Sequence, residues 1–144
     1  MNPDMLYGKA TIKDAKAIKS LLDSHENVRT PSEDEIYHTI RDYFIVEREK
    51  KLVGCLSLHF FPGDFAELGK LAVDKVHHGR GIGSRLVELS LKEAKIMGAK
   101  EVFVLTCAPD FFKKHQFKPA SDLPKELKIK GNELALVNDL EKVE

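Results

Sequence analysis

The sequence predicts a mixed α/β (α+β) domain with strands on both sides, along the chain, of one long helix. Three observations carry this. Ile82, Leu86, Leu89, Ala94 and Met97 follow a helical period after a glycine-rich turn, and Gly98 suits the C′ position. β-rich runs precede that helix, at Tyr43 to Arg48, Leu52 to Phe61 and Phe65 to Val73. Others follow it, at Glu101 to Thr106, from Phe117, and at Glu133 to Asp139. No repeat, linker or low-complexity tract interrupts the chain, so a single domain over residues 1–144 with one core is expected.

In chain order, Leu6 to Ala10 reads as a short first strand. Thr11-Ile12-Lys13-Asp14 has the form of a capping box, and Ala15, Ile18, Leu21 and Leu22 make the stripe of a helix that fades near Ser24. Glu26 to Thr30 is loop. Ser32 as N-cap with Glu35 at N3 starts a second, short helix that turns Ile36 and Ile40 inward. Glu49-Lys50-Lys51 connects two strands as a polar hairpin, and Gly54 marks a bulge in the second of them. Pro62-Gly63-Asp64 punctuates the chain before the Phe65 strand. Asp110 to His115 is expected to be a short helix.

Composition narrows the function. Lys+Arg and Asp+Glu both number 23, and this balance argues against a nucleic-acid surface, which would be basic. Cys55 and Cys107 form no C-x-x-C pair, so no zinc knuckle or disulfide framework is indicated. The N-terminus has no basic segment followed by an apolar run, and the longest apolar stretch, Leu52 to Phe61, is too short to cross a bilayer. A cytoplasmic protein with reduced thiols and no membrane partner is expected.

The chemistry concentrates in Leu71-Ala72-Val73, then His78-Gly79-Arg80-Gly81-Ile82-Gly83-Ser84. Glycines at alternate positions remove Cβ atoms where a backbone must approach something closely. The helix that follows offers unpaired N–H groups and the positive end of its dipole, so the turn suits a phosphate, with Arg80 and Arg85 adding charge. The dinucleotide fingerprint G-x-G-x-x-G fails because Ser84 follows Gly83, and the P-loop fails because Gly-Lys-Ser/Thr never occurs. What matches is Gln/Arg-x-x-Gly-x-Gly/Ala, the acyl-CoA signature of the GCN5-related N-acetyltransferase (GNAT) superfamily, with His78 in the first position. Ala66-Glu67-Leu68 upstream and Ala108 to Phe117 downstream extend the resemblance over most of the chain. Val102 to Thr106 followed by Pro109-Asp110-Phe111-Phe112 is most similar to the acetyltransferase module of N-acetylglutamate synthases and related amino-acid acetyltransferases.

That resemblance implies a central, mostly antiparallel mixed sheet, splayed at an acetyl-CoA site and flanked by helices. It implies acetyl-CoA as cosubstrate, no metal, and a small-molecule amine or amino-acid acceptor. Backbone N–H groups of Gly79 to Ser84 would hold the diphosphate, backbone of Leu71 and Val73 would pair with the pantetheine arm as an added strand, and an N–H near Ala72 would polarise the thioester. Phe111 and Phe112 would lie at the cofactor. His78 departs from the usual Gln/Arg, so weaker phosphate binding is expected rather than its loss.

Glu67 is the expected general base; a carboxylate flanked by Ala66 and Leu68 on an alternating strand is a candidate for partial burial. Phe112 fills the slot where many relatives carry an acidic tyrosine, and Gln116 replaces a glycine. A thiol pKa of about 8.5 lets the thiolate leave unaided. Thr106 is placed to hydrogen-bond the amine or the departing sulfur, or is an ordinary strand residue. Arg29 and Lys70 are the cations expected to meet an acceptor carboxylate, against the commoner fate of a solvated surface charge. The leading expectation is acetylation of a small amino acid, glutamate first. The alternatives are acetylation of a protein N-terminus, lysine or polyamine through an acidic groove at Glu33-Asp34-Glu35, and a CoA-binding module without turnover. Thiol catalysis by Cys107 with His115 or His59 lacks a supporting order, and His77-His78 lacks a third metal ligand at suitable spacing. A final strand from Glu133 to Asp139 shared between two copies is one route to a homodimer.

Overall fold

The computed structural model describes residues 4–25 and 30–141. Strands β1 (Met5–Lys9), β2 (Tyr43–Arg48), β3 (Lys51–Phe61), β4 (Phe65–Val73), β5 (Glu101–Thr106), β6 (Lys118–Pro119) and β7 (Leu134–Asp139) form one sheet in the order β1-β2-β3-β4-β5-β7-β6. All neighbours are antiparallel except β4 and β5. Helices α1 (Ala15–Asp23), α2 (Glu33–His38), α3 (Ile82–Ile96) and α4 (Pro109–Lys113) flank it.

Local chemistry sets the element ends. The Thr11 N–H donates to Asp14 Oδ2 at 2.8 Å, closing a capping box over a 3-10 turn that leads into α1. The Ser32–Glu35 box closes reciprocally, each contact 3.1 Å, at the start of α2. Glu49 and Lys50 turn the β2–β3 hairpin with φ of 51° and 65°.

Apolar faces then build the core on both sides of the sheet. Val46, Leu56, Leu58 and Leu68 of the sheet share one core with Leu86 of α3. Ile18 and Leu22 of α1 and Ile36 of α2 share another with Tyr43 and Cys55 of the sheet. Gly54 sets how closely α3 can approach: a Cβ there would lie 2.7 Å from Val46 Cγ1 and 3.3 Å from Ile82 Cγ2. The bulge expected at Gly54 is present, with Val53 as the extra residue between the Gly54–Val46 and Leu52–Glu47 pairs.

Three expectations change. Met97 is 61% exposed and leaves the stripe, whose buried members are Ile82, Leu86, Val87, Ser90 and Ala94. Ser90 fits because its hydroxyl donates to the Val87 carbonyl at 2.8 Å, removing the penalty of burying it. The short helix begins one residue early, at Pro109, and ends at Lys113. Phe117 opens no strand; it is buried against Phe112, and only Lys118–Pro119 pairs with β7. β7 pairs with β5 from Leu134 to Asp139 and with β6 at Leu136 and Val137.

Two features of β4 shape the site. Pairing with β5 stops at Leu68–Val104, after which β4 continues along β3 while β5 continues along β7. The sheet therefore splays, leaving a cleft between Gly69–Val73 and Leu105–Thr106. Within this stretch, Cys55–Ala72 and Ser57–Gly69 pairing leaves Lys70 and Leu71 opposite Leu56 alone, a bulge. Lys70 takes φ of 52°, and its carbonyl accepts the Cys55 thiol at 3.5 Å.

Candidate active site

The splay opens into a cavity of about 710 Å³. Its β4 wall runs from Glu67 to Val73, its β5 wall from Val104 through Thr106 to Ala108, and its floor is the glycine turn and first turn of α3. Gly79 and Gly81 have φ of 79° and 77°, a region costly for other residues, and no side chain caps α3. The first amides of the helix, Ile82, Gly83 and Ser84, are those that lack an acceptor one turn back. Such a cradle fits a diphosphate. Phe111 leans over it: a Cβ on Gly83 would lie 3.4 Å from Phe111 Cζ. His115 Nε2 lies 3.1 Å from Ser84 Oγ, and Asn138 holds the His115 carbonyl at 2.8 Å, so β7 buttresses the turn through α4's end.

Most of the expected residues meet here. Glu67, Lys70, Leu71, Ala72, Val73, His78, Gly79, Gly81, Ile82, Gly83, Ser84, Thr106, Phe111 and Phe112 all line this cavity. Arg80 is in the turn but exposed and not part of the wall, and Arg85 points to Glu88 at 3.6 Å. Arg29 lies outside the described residues. Thr106 Oγ1 accepts the Ala108 N–H at 2.8 Å, which leaves the hydroxyl proton to donate. Phe112 is buried between Phe111 and Phe117, an apolar wall with no proton to give.

His78 does something the motif did not announce. Its Nε2 lies 2.8 Å from the Val73 carbonyl, and His25 Nε2, from the end of α1, lies 2.9 Å from the same oxygen. A carbonyl only accepts, so both imidazoles donate and both lone pairs are engaged. Strand-like pairing of a ligand through this carbonyl would have to displace one of them. His25 carried no sequence signal, because only the tertiary fold brings the end of α1 to the end of β4.

A second cavity, of about 480 Å³, adjoins the first at β4. Glu67, Gly69 and Lys70 line both cavities, so the carboxylate sits on the seam between them. Glu35, Asp42, Tyr43, His59 and Lys130 supply its other titratable groups. Lys130, unnoticed in the sequence, arrives from the segment before β7. His59 Nδ1 lies 2.6 Å from Asp42 Oδ2, and His115 is engaged with Ser84, so neither pairs with exposed Cys107. Among the described residues no group of three or more His, Cys, Asp or Glu is placed to hold a metal ion, and no helix is long and apolar enough to cross a membrane.

Known proteins share this arrangement. Residues 15–117 match the Acetyltransferase (GNAT) family. An amino-acid acetyltransferase of Mycobacterium tuberculosis is 31% identical over 121 residues, covering 81% of this chain and 70% of that protein. The structure of Rv2747 from Mycobacterium tuberculosis, solved in complex with CoA, superposes with a TM-score of 0.86 at 25% identity, covering 94% of this chain and 99% of that one. N-acetylglutamate synthase from Neisseria gonorrhoeae shares the fold at a TM-score of 0.87 and 24% identity, covering 99% of this chain but 36% of that one. With a family match across most of its length and a cleft, glycine cradle and splayed sheet in place, the chain belongs to the Acetyltransferase (GNAT) family, as an N-acetyltransferase that uses acetyl-CoA.

Proposed function

We propose that the enzyme acetylates the α-amine of a small amino acid, with glutamate the first acceptor to test. The observation that carries this is the position of Glu67 and Lys70 on the seam between the two cavities. An acceptor amine entering from the smaller cavity meets the thioester beside a carboxylate able to take its proton. Its own carboxylates find ammonium groups at Lys70 and Lys130, and Arg29 is the further cation that the sequence offers for them. The 31% identity to an amino-acid acetyltransferase supports the same acceptor class.

In this reading the amides of Gly79 to Ser84 hold the diphosphate, with His78 and Arg80 in the same turn. The pantetheine arm runs beside Leu71, Ala72 and Val73, and Phe111 and Phe112 form its apolar wall. Thr106 directs its hydroxyl as a hydrogen-bond donor at the departing sulfur, a contact that Phe112 cannot make. Initial rates with acetyl-CoA against a panel of amino acids, peptides and polyamines test the acceptor. Glu67→Gln is expected to lower kcat by about 10²-fold with the KM for acetyl-CoA unchanged; an unaltered kcat would remove Glu67 as the base.

One observation favours a cationic acceptor instead. Glu35 and Asp42 add carboxylates to the smaller cavity, which would suit a lysine, polyamine or protein N-terminus. Faster turnover of peptides or polyamines than of free amino acids in the same panel would establish that reading.

A further inference from the structure

Glu67 has a neighbour with the means to share its task. His59 on β3 and Glu67 on β4 are direct partners in the antiparallel register, so their side chains leave the same face of the sheet. Both line the smaller cavity. The His59 ring is fixed twice: Nδ1 lies 2.6 Å from Asp42 Oδ2, and the ring packs edge-on against Phe61 with centroids 4.9 Å apart. Asp42 is the more buried of the pair, its side chain 20% exposed against 49% for His59. A carboxylate on Nδ1 keeps the hydrogen there and leaves the Nε2 lone pair as the basic site.

We propose that His59, oriented by Asp42, is a second proton acceptor of the acetyl-transfer reaction. It takes the proton that the acceptor ammonium must lose before attack, while Glu67 takes the one lost as the new bond forms. This rests on the reading of Glu67 as the base. The proton count requires two acceptances. An ammonium R–NH3+ carries three hydrogens on nitrogen and the amide product carries one. His59 Nε2 accepts the first proton, leaving its bonding pair on nitrogen as the attacking lone pair. That pair forms the N–C bond to the acetyl carbon, the C–S pair departs with sulfur, and Glu67 accepts the second proton. The Glu67 proton passes to the thiolate through water, and His59, half exposed, returns its own to solvent. One carboxylate holding one proton would have to empty itself between the two steps.

The titratable groups lining this cavity with His59 are Asp42 beside the strand, Glu35 from α2, Tyr43 from β2, whose hydroxyl burial holds neutral, Glu67 and Lys70 from β4, and Lys130 from the segment before β7. Their presence makes the proton-acceptor role distinguishable by rescue rather than by a bare pH optimum. The test uses the full chain with acetyl-CoA and L-glutamate, or the panel amine turned over fastest. His59→Gln is read across pH values on both sides of the acceptor amine's own pKa. Below that pKa, kcat/KM for the acceptor is expected to fall by about 10²-fold. Above it, where free amine is already abundant, the rate should climb back towards that of the unaltered enzyme. Asp42→Asn should show the same rescue with a smaller loss, and the KM for acetyl-CoA should stay unchanged in both. A loss of equal size at every pH, or none at any pH, would overturn the proposal, the first marking His59 as a packing or binding group only. Glu67→Gln should stay impaired throughout the range. An active Glu67→Gln enzyme would instead remove the Glu67 reading, while the rescue of His59→Gln remains separately readable.

Discussion

His25 and Val73, 48 residues apart, meet through a 2.9 Å hydrogen bond from imidazole Nε2 to a carbonyl oxygen that also takes His78 at 2.8 Å. The contact ties the end of α1 to the last residue of β4, where the strand hands over to the glycine turn. Because both lone pairs of Val73 are engaged, the two rings act as a brace on the wall of the cofactor cavity. Each hydrogen bond contributes about 1 kcal/mol, so His25→Ala and His78→Ala should each raise the KM for acetyl-CoA about fivefold, with kcat little changed. The double variant should fall short of the product of the two, since both act on one oxygen. A lower KM in either single variant would mean that the imidazole competes with the pantetheine arm for the carbonyl instead of holding the strand.

How much of this was legible in the sequence follows from how local each feature is. The two capping boxes, the hairpin at Glu49-Lys50 and the glycine turn depend on residues within a few positions of one another, and each lies where the sequence placed it. The same holds for the β4 wall and the seam residues Glu67 and Lys70, because a single strand and its motif carry them. The β4 bulge was not legible: Lys70 at φ of 52° breaks the rule that such positions hold Gly or Asn, and a buried thiol and strand register hold it there. His25, His59 with Asp42, and Lys130 were missed for another reason. They reach the cavities from separate elements, and no spacing in sequence encodes that convergence. Met97 misled because a period of 3.6 extrapolates past Ile96, the last residue of α3, to an exposed C-cap.

Cys55 and Cys107 separate sharply by environment. Cys55 is fully buried beneath α1 and donates to Lys70, and burial pushes its thiol up to about 12. In the unfolded chain the same thiol titrates at about 8.5. The folded state therefore resists ionisation: its stability is whole below about pH 8.5 and declines as pH rises from there towards the folded value. The decline attributable to this group is at most about 1.4 kcal/mol per pH unit. Denaturant titrations of the unaltered protein and of Cys55→Ala, repeated at rising pH, should show a steeper alkaline loss in the former. Parallel curves would indicate that the thiol is better solvated than its burial implies. At neutral pH a thiol reagent should modify Cys107 alone, and acetyl-CoA should slow it, because Cys107 lines the cofactor cavity.

Gly83 offers the cleanest separation of cofactor binding from folding. At Gly79 and Gly81, φ of 79° and 77° means that alanine would carry a left-handed penalty of about 1–2 kcal/mol, so lost binding there could be lost structure. Gly83 is helical, and a Cβ on it would meet Phe111 Cζ at 3.4 Å and Val73 Cγ2 at 4.0 Å, contact distances that need no rearrangement. Alanine in a helix is favoured over glycine by up to about 1 kcal/mol. Gly83→Ala should therefore unfold at higher denaturant concentration than the unaltered protein. The acyl-CoA signature admits glycine or alanine at this position, and the added methyl would face the Phe111 and Val73 side chains. Calorimetric titration should therefore show CoA affinity within about threefold of the unaltered protein's, less than about 0.7 kcal/mol, alongside the gain in stability. A marked loss of CoA affinity in this more stable variant would mean that the ligand packs against the Gly83 Cα itself and that the glycine is required there.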